Sequence, residues 1–272
     1  MQVYQGEFLV AALAEGKLQR FAGIDMHLAL HEPVHRGLDK LRSEITVPNL
    51  EAPRDYHSFE FTAHWNVVAA IANCINDDAH GGALILVPPE AAPSEDDIRI
   101  KYQQNSSVLR EEFVSFMNIR NRVIDFIIRI EDGEVGEAVK GSWAQAELEM
   151  ATAHTDLVEA IRFVARLAGS DGAIVLAADF RLLGFGAEIR AELARETKIA
   201  EIINEMQGTS RPMDIEQFGL RHRSAVKLIS RQTEYTAIVV SQDGPISVVW
   251  SKDQCVNVRK GVQLTNLNMP WA

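Results

Sequence analysis

Gly219–Ala225 reads GLRHRSA, and the rest of the chain can be interpreted outward from this stretch. Arg221 and Arg223 carry planar, permanently charged groups that suit phosphate oxygens better than lysine does. The apolar residues that follow have the spacing of a helix that begins at this cluster. Gly219 would let the backbone turn tightly, and free N–H groups at the helix start would help to hold an anion. The stretch indicates either a phosphate site or a solvated basic turn.

Two further stretches carry related patterns. Residues 170–176 read SDGAIVL and predict a strand that begins near Asp171. Residues 237–248 read AIVVSQDGPISV and predict a hairpin around Asp243-Gly244. In this order and context, the three stretches resemble the diadenylate cyclase (DAC) domain family, whose members join two ATP molecules into cyclic di-AMP. The resemblance covers residues 62 to 250, because Gly82–Val87 (GALILV) is similar to the strand that opens that domain.

The resemblance implies a role for particular residues. Asp171 would hold a divalent cation, Mn²⁺ or Mg²⁺, and the attacking 3′-hydroxyl group, and it would form the catalytic set together with His222. The nucleotide-binding residues that the resemblance implies are Gly172, Ala173, Gly219, Leu220, Arg221, His222, Arg223 and Ser241. The partner would be ATP or a related adenine nucleotide. Because the 3′-hydroxyl of each nucleotide must face the α-phosphate of the other, the resemblance also implies a face-to-face homodimer.

Two positions depart from the family pattern. Leu220 stands where the family usually has threonine, and Gln242 stands where a glutamate usually follows the serine. Neither side chain can do the work of the residue that it replaces. A nucleotide-binding sensor that has lost the cyclase reaction is therefore the second hypothesis, and an interaction scaffold without a ligand is the third. The scaffold hypothesis leaves the two arginines of the GLRHRSA stretch without a purpose.

The composition is that of an ordinary globular protein of 272 residues, with 47% hydrophobic and 24% charged residues. A net charge of −11 makes nucleic-acid binding an unfavoured expectation, although a basic pocket can exist in an acidic protein. Cys74 and Cys255 are isolated, which favours free thiols in a reducing compartment. No apolar run reaches the length of a membrane helix, so we expect a cytoplasmic protein.

The expected fold class is α/β, with an α+β-like mixed sheet flanked by helices, as in a DAC-type nucleotide-binding domain. We divide the chain into a small N-terminal α+β region at 1–60, with a sensory role as one option, a nucleotide-binding domain at 61–250 and a C-terminal tail at 251–272. The domain carries a helical insert at about 106–168, which we interpret as core packing or, alternatively, as an interaction surface.

Local sequence patterns predict where individual helices begin. Thr62 is a candidate N-cap, and Ser142 with Gln145 forms a candidate capping box for the second insert helix. A further helix is expected from Ala187 to Met206. The sequence HEPVH at 31–35 matches the zinc-protease pattern H-E-x-x-H, but we reject a metalloprotease because Pro33 should break the helix that this site needs.

Overall fold

The computed structural model describes residues 2–5, 8–14, 17–20, 23–46, 55–78, 81–131, 137–204, 209–242 and 245–262. Within these ranges the protein is a mixed α/β fold, with a nine-stranded mixed sheet flanked by helices and a separate three-stranded sheet near the N-terminus. The predicted fold class, a mixed sheet flanked by helices, is confirmed.

The small sheet has the order β1-β2-β3, and its strands are β1 (Gln2–Gln5), β2 (Phe8–Ala14) and β3 (Lys17–Arg20). The strands of the large sheet are β4 (Gly82–Val87), β5 (Ile98–Ser106), β6 (Ala173–Ala177), β7 (Leu182–Ile189), β8 (Lys198–Asn204), β9 (Thr209–Pro212), β10 (Thr236–Val240), β11 (Ile246–Lys252) and β12 (Cys255–Val262). Their order is β5-β7-β6-β4-β10-β11-β12-β8-β9. The β4–β6 and β12–β8 pairs are parallel, and the other pairs are antiparallel.

The helices are α1 (Gly23–Leu41), α2 (Asp55–Asp77), α3 (Val108–Glu131), α4 (Glu137–Arg166) and α5 (Leu220–Arg231). The helices α1 to α4 pack on one face of the large sheet, where they share a core with alternate residues of the central strands. Helix α5 packs on the opposite face. The central strands β4, β6 and β10 are buried along their whole length, as their continuous apolar runs predict for a sheet covered on both faces.

The helical insert consists of α3 and α4, and it belongs to the main core. Phe113, Phe116 and Met117 of α3 are fully or almost fully buried, as are Leu157 and Val164 of α4. The predicted apolar stripes therefore mark core packing. The predicted helix starts were wrong, because Thr62 lies inside α2 and Ser142 lies inside α4. Gln145 donates a hydrogen bond to Glu149 one turn later instead of capping the helix.

The helix predicted from Ala187 to Met206 does not form. Residues up to Ile189 continue β7, and β8 follows after a loop, while Met206 lies outside the described residues. Alanine, glutamate and arginine favour a helix here, but β8 pairs in parallel with β12 and antiparallel with β9. Residues 209–212, just after β8, form the edge strand β9. These non-local pairings outweigh the local preference for a helix.

The predicted division at residues 60 and 251 does not follow the fold. Residue 60 falls within α2, and Val34 and Leu38 of α1 lie in the core of the large sheet. The predicted tail contains β12, which pairs with β11 on one side and with β8 on the other. A two-residue turn joins β11 to β12, and both of its residues, Asp253 and Gln254, have positive φ angles of 51° and 59°. This is the backbone of a tight β-hairpin turn.

The H-E-x-x-H pattern lies in a helix, contrary to our reason for rejecting it. Pro33 is inside α1, so it does not end the helix between the two histidines. The ring of His35 is half-buried and lies 5.4 Å from the ring of Phe61 on α2. The side chain of His31, the other histidine of the pattern, lies outside the described part of the chain.

None of the helices in the described ranges combines the length and the apolar character that crossing a bilayer requires.

Candidate functional site at one edge of the large sheet

The ends of three strands meet along one side of the large sheet, and we call this row of strand ends the edge. β4 and β6 are parallel with Ala83 opposite Ala173, and β10 is antiparallel to β4 with Val240 opposite Gly82. The segments just before β4 and β6 therefore lie beside the segment just after β10. Because neighbouring strands are about 4.8 Å apart, the outer two segments are separated by about 10 Å.

The strand register brings together residues that are far apart in the sequence. Asp171 precedes β6, Gly81 precedes β4, and Ser241 follows β10. The Asp171 side chain is exposed at this edge, and Ser241 is half-buried. Two of the predicted site residues, Asp171 and Ser241, thus lie on opposite sides of the turn at Gly81.

Gly81 brings this edge into contact with the start of α5. Its φ angle of +61° is one that side-chain-bearing residues rarely adopt. A methyl group at this position would lie 2.8 Å from Nη1 of Arg221 and 2.9 Å from the backbone nitrogen of Gln242. The guanidinium group of Arg221 therefore lies directly over the turn, beside the segment that contains Ser241.

Gly172 allows the Asp171 turn to pack against β7. Its φ angle is +120°, and a methyl group there would lie 2.5 Å from the carbonyl carbon of Gly186 and 2.7 Å from the nitrogen of Ala187. Two backbones approach each other at this point more closely than a side chain allows. Gly172 is therefore required by the fold itself, and it holds the exposed carboxylate of Asp171 at the edge of the sheet.

Helix α5 begins without a side-chain cap. Gly219 occupies the N-cap position with φ −65° and ψ 165°, and its carbonyl oxygen accepts a hydrogen bond from the backbone nitrogen of Arg223 at 2.9 Å. Glycine is not required by the backbone at this turn, because any residue adopts this conformation and an added methyl group would meet open space. The open, uncapped start of a helix favours an anion through its N–H groups.

Arg223 does not face the strand edge with Arg221. Its Nη1 atom lies 2.9 Å from Oε2 of Glu216, and the side chains are 31% and 75% exposed respectively. Exposed ion pairs of this kind contribute only about 0–1 kcal/mol. A phosphate group could therefore replace Glu216 as the partner of Arg223 at little cost.

His222 is packed against Phe218, with ring centroids 6.0 Å apart and planes at 16°. Its Nε2 atom is buried and has no hydrogen-bond partner among the residues that the structure describes. Burial lowers the pKa of His222, and the nearby positive charge of Lys260 lowers it further. We therefore expect a neutral imidazole at pH 7, which can donate a hydrogen bond to a ligand or accept one from it but does not add a positive charge.

The remaining predicted residues differ in their exposure. Leu220, the first residue of α5, is 75% exposed, so it contributes little to the core. The side chain of Ala173 is buried between its neighbours in the sheet. Only the backbone of Ala173 is therefore available to a ligand at this edge.

A metal ion at this edge would depend on Asp171 and on the ligand. Among the described residues, no group of three or more His, Cys, Asp or Glu side chains could hold a metal ion without further ligands. Mg²⁺ in nucleotide sites is commonly held by one or two carboxylates together with phosphate oxygens. The single exposed carboxylate of Asp171 fits that arrangement if a triphosphate supplies the other oxygens.

A cavity of about 340 Å³ adjoins the Gly81 turn from the α2–α4 face of the sheet. Asp78 and Arg166 are its charged residues, and the ends of α2 and α4 form its walls. The edge is therefore concave on this side.

Sequence reasoning missed two residues near the site. Gly81 was not among the predicted site residues, although a double glycine directly before a buried strand is a pattern that allows close backbone contact. We left Lys260 in the C-terminal tail, although the alternating Val256 and Val258 indicate a strand. The ammonium group of Lys260 lies 4.6 Å from the centre of the Phe218 ring.

No protein family, no curated protein and no solved structure matches the chain.

Proposed function

We propose that the protein binds ATP at the edge formed by Asp171, Gly81 and Ser241 and condenses two ATP molecules into cyclic di-AMP. The observation that carries the proposal is that the guanidinium group of Arg221 lies over the Gly81 turn, between the Asp171 and Ser241 segments. An anion-binding group and a carboxylate at one edge are what a nucleotidyl transfer needs from a protein.

The reaction consists of two nucleotidyl transfers, and it needs only a few protein groups. The 3′-oxygen of one ATP bonds to the α-phosphorus of the other as pyrophosphate leaves and the hydroxyl proton is released. A second transfer closes the ring, so that two ATP give one cyclic di-AMP and two pyrophosphates. Asp171 would accept a hydrogen bond from the 3′-hydroxyl group, and Arg221 and the α5 N–H groups would hold the phosphates. A Mn²⁺ or Mg²⁺ ion bound to Asp171 and the phosphates would supply charge neutralisation.

A single copy with one ATP site cannot complete this reaction. Each 3′-hydroxyl group must reach the α-phosphate of the other nucleotide, so two copies must place their edges face to face. The exposed positions of Asp171 and Leu220 are compatible with such a pairing. The proposal therefore includes a homodimer, formed at least while the two nucleotides are bound.

A sensor that binds the nucleotide without reacting is the second candidate function. It is favoured by Leu220, which is 75% exposed at the first position of α5 and offers no hydroxyl group to a phosphate. Gln242 is exposed beside Arg221 and carries no charge. The sensor shares the ATP site with the cyclase and differs from it only in turnover.

Incubation with ATP and Mn²⁺ or Mg²⁺, followed by chromatography for cyclic di-AMP, tests the proposal. ATP should raise the melting temperature of the wild type, and Arg221→Ala should remove most of that shift. Asp171→Asn should keep the shift and abolish product formation, because the amide keeps the shape of the side chain and loses its charge. If neither ATP, ADP nor cyclic di-AMP at millimolar concentration moves the transition, both candidate functions fail.

Leu220→Thr should increase the rate of cyclic di-AMP formation about ten- to a hundredfold. A hydroxyl–phosphate hydrogen bond formed mainly in the transition state is worth about 1.5–3 kcal/mol, and ~1.36 kcal/mol corresponds to a factor of ten. The free energy of unfolding should change little because Leu220 is exposed. Product formation by the two proteins is compared at equal concentration and equal dimer content, checked by light scattering. If neither protein forms product although both bind ATP, the cyclase proposal is wrong and the nucleotide-binding sensor is the function that remains.

A further inference from the structure

Lys260 lies near the candidate site, although it belongs to the segment that was predicted to be a C-terminal tail. β12 pairs with β11 so that Val262 is opposite Ile246, and β11 pairs with β10 so that Ser247 is opposite Val239. The end of β12 therefore lies at the same edge of the sheet as the segment after β10. Two strand spacings, about 10 Å, separate β12 from β10 at this edge.

The Lys260 side chain reaches toward the residues around the start of α5. Its ammonium group lies 4.6 Å from the centre of the Phe218 ring, and the His222 ring stacks against the same phenylalanine. Within the described part of the chain, no carboxylate forms an ion pair with Lys260. An ammonium group has three donors, so this cation retains donors for a ligand.

The start of α5 thus has cationic groups on two sides. Arg221 lies over the Gly81 turn on the β4 side, and Lys260 lies over Phe218 on the β12 side. His222 follows Arg221 on α5 and packs on the phenylalanine that Lys260 covers, and its Nε2 atom is buried without a hydrogen-bond partner among the described residues. A buried polar atom without a partner is costly, and a phosphate oxygen at the surface beside it would supply one.

We propose that Lys260 and His222 form a second phosphate position on the β12 side of α5, which holds the terminal phosphates of a triphosphate whose first phosphate is bound by Arg221. The inference rests on the proposed function, since it assigns the direction in which the nucleotide's phosphate chain runs. The site then selects triphosphates over monophosphates, because a single phosphate cannot reach from the β4 side of α5 to the β12 side.

The matched experiment uses the full chain and two lysine variants. Lys260→Met keeps the apolar stem over Phe218 and removes the charge, and Lys252→Met does the same on the exposed far end of β11. Dissociation constants for ATP, AMP and inorganic tripolyphosphate are measured by calorimetry at one fixed salt concentration, because salt screens such contacts. Lys260→Met should weaken ATP and tripolyphosphate binding about tenfold and change AMP binding less than twofold. Lys252→Met should change none of the three.

The outcomes separate the inference from the proposed function. If the wild type binds ATP and Lys260→Met binds it equally well, or if ATP and AMP weaken by the same factor, the second phosphate position is wrong and ATP binding stands. If tripolyphosphate binds and weakens in Lys260→Met while ATP does not bind, the phosphate position is supported and the proposed function fails. If the wild type binds neither ATP nor tripolyphosphate, both are overturned.

Discussion

Gly172→Ala should lower the free energy of unfolding by about 2–5 kcal/mol. The substitution forces an alanine into a φ angle of +120°, which costs about 1–3 kcal/mol in strain, and overpacking in a close-packed region costs a similar amount. The new methyl group would lie 2.5 Å from the carbonyl carbon of Gly186, where two backbones must separate to make room. Denaturant unfolding of the two proteins measures the difference.

Gly219→Ala is the matched control, because this glycine has φ −65° and open space around it. Its free energy of unfolding should stay within about 1 kcal/mol of the wild type, since only the small N-cap and backbone-entropy effects remain. If the two variants were equally stable, the close contact between the Asp171 turn and β7 would be wrong. The pair therefore tests how the fold positions the carboxylate of Asp171.

The contribution of His64 to the free energy of unfolding should fall by about 3 kcal/mol as the pH falls from 6.5 to 4, because its side chain is buried in the neutral form. The side chain is 1% exposed and stacks on Phe180 with ring centroids 4.2 Å apart. Its Nε2–H group donates to the carbonyl oxygen of Ala178 at 2.6 Å, while no other side chain or backbone group in the described ranges forms a hydrogen bond with the buried Nδ1 atom. A second proton would place a positive charge in the buried core, where the charged form is poorly solvated.

Burial lowers the pKa of His64 from 6.5 to about 4, against smaller opposing effects of the Ala178 carbonyl group and of Asp179, while His35 lowers it slightly further. The unfolded chain binds the proton below pH 6.5 and the folded chain does not. The stabilisation is therefore complete above pH 6.5 and is lost as the pH falls toward 4, by ~1.36 kcal/mol per pH unit.

Unfolding free energies of the wild type and of His64→Gln, measured between pH 4 and 7.5, test this expectation. The variant should be less stable at pH 7 and should have a flatter profile, because glutamine keeps a donor for Ala178 but does not titrate. His222 contributes a loss of the same sign in both proteins, so it cancels in the comparison. Parallel profiles of the two proteins below pH 6.5 would show that His64 is not the group responsible.

Much of the candidate site could be predicted, because its parts are local. The Asp171 turn, the start of α5 at the arginine cluster and the strand before Ser241 all follow from short patterns of glycine, charge and apolar runs. The spatial relations between these parts could not be predicted. Residues two apart on one helix point to different sides, but only the tertiary structure shows that Arg221 faces the strands and Arg223 faces Glu216.

The amino-acid sequence by itself determined the elements whose pattern is intrinsic: the strands β4, β6 and β10, each with a continuous apolar run, and the amphipathic helices α3 and α4. In the helices, the spacing of the apolar residues indicates which face is buried, and in the strands an unbroken apolar run indicates burial on both faces. Tertiary structure determined that the strand β8 forms where a helix was expected from Ala187 onward. It also determined that the strand β12 forms where a tail was expected. A strand acquires its hydrogen bonds from another strand, so segments with weak or conflicting local preferences take their structure from their neighbours. Lys260 is placed near the start of α5 by that pairing alone.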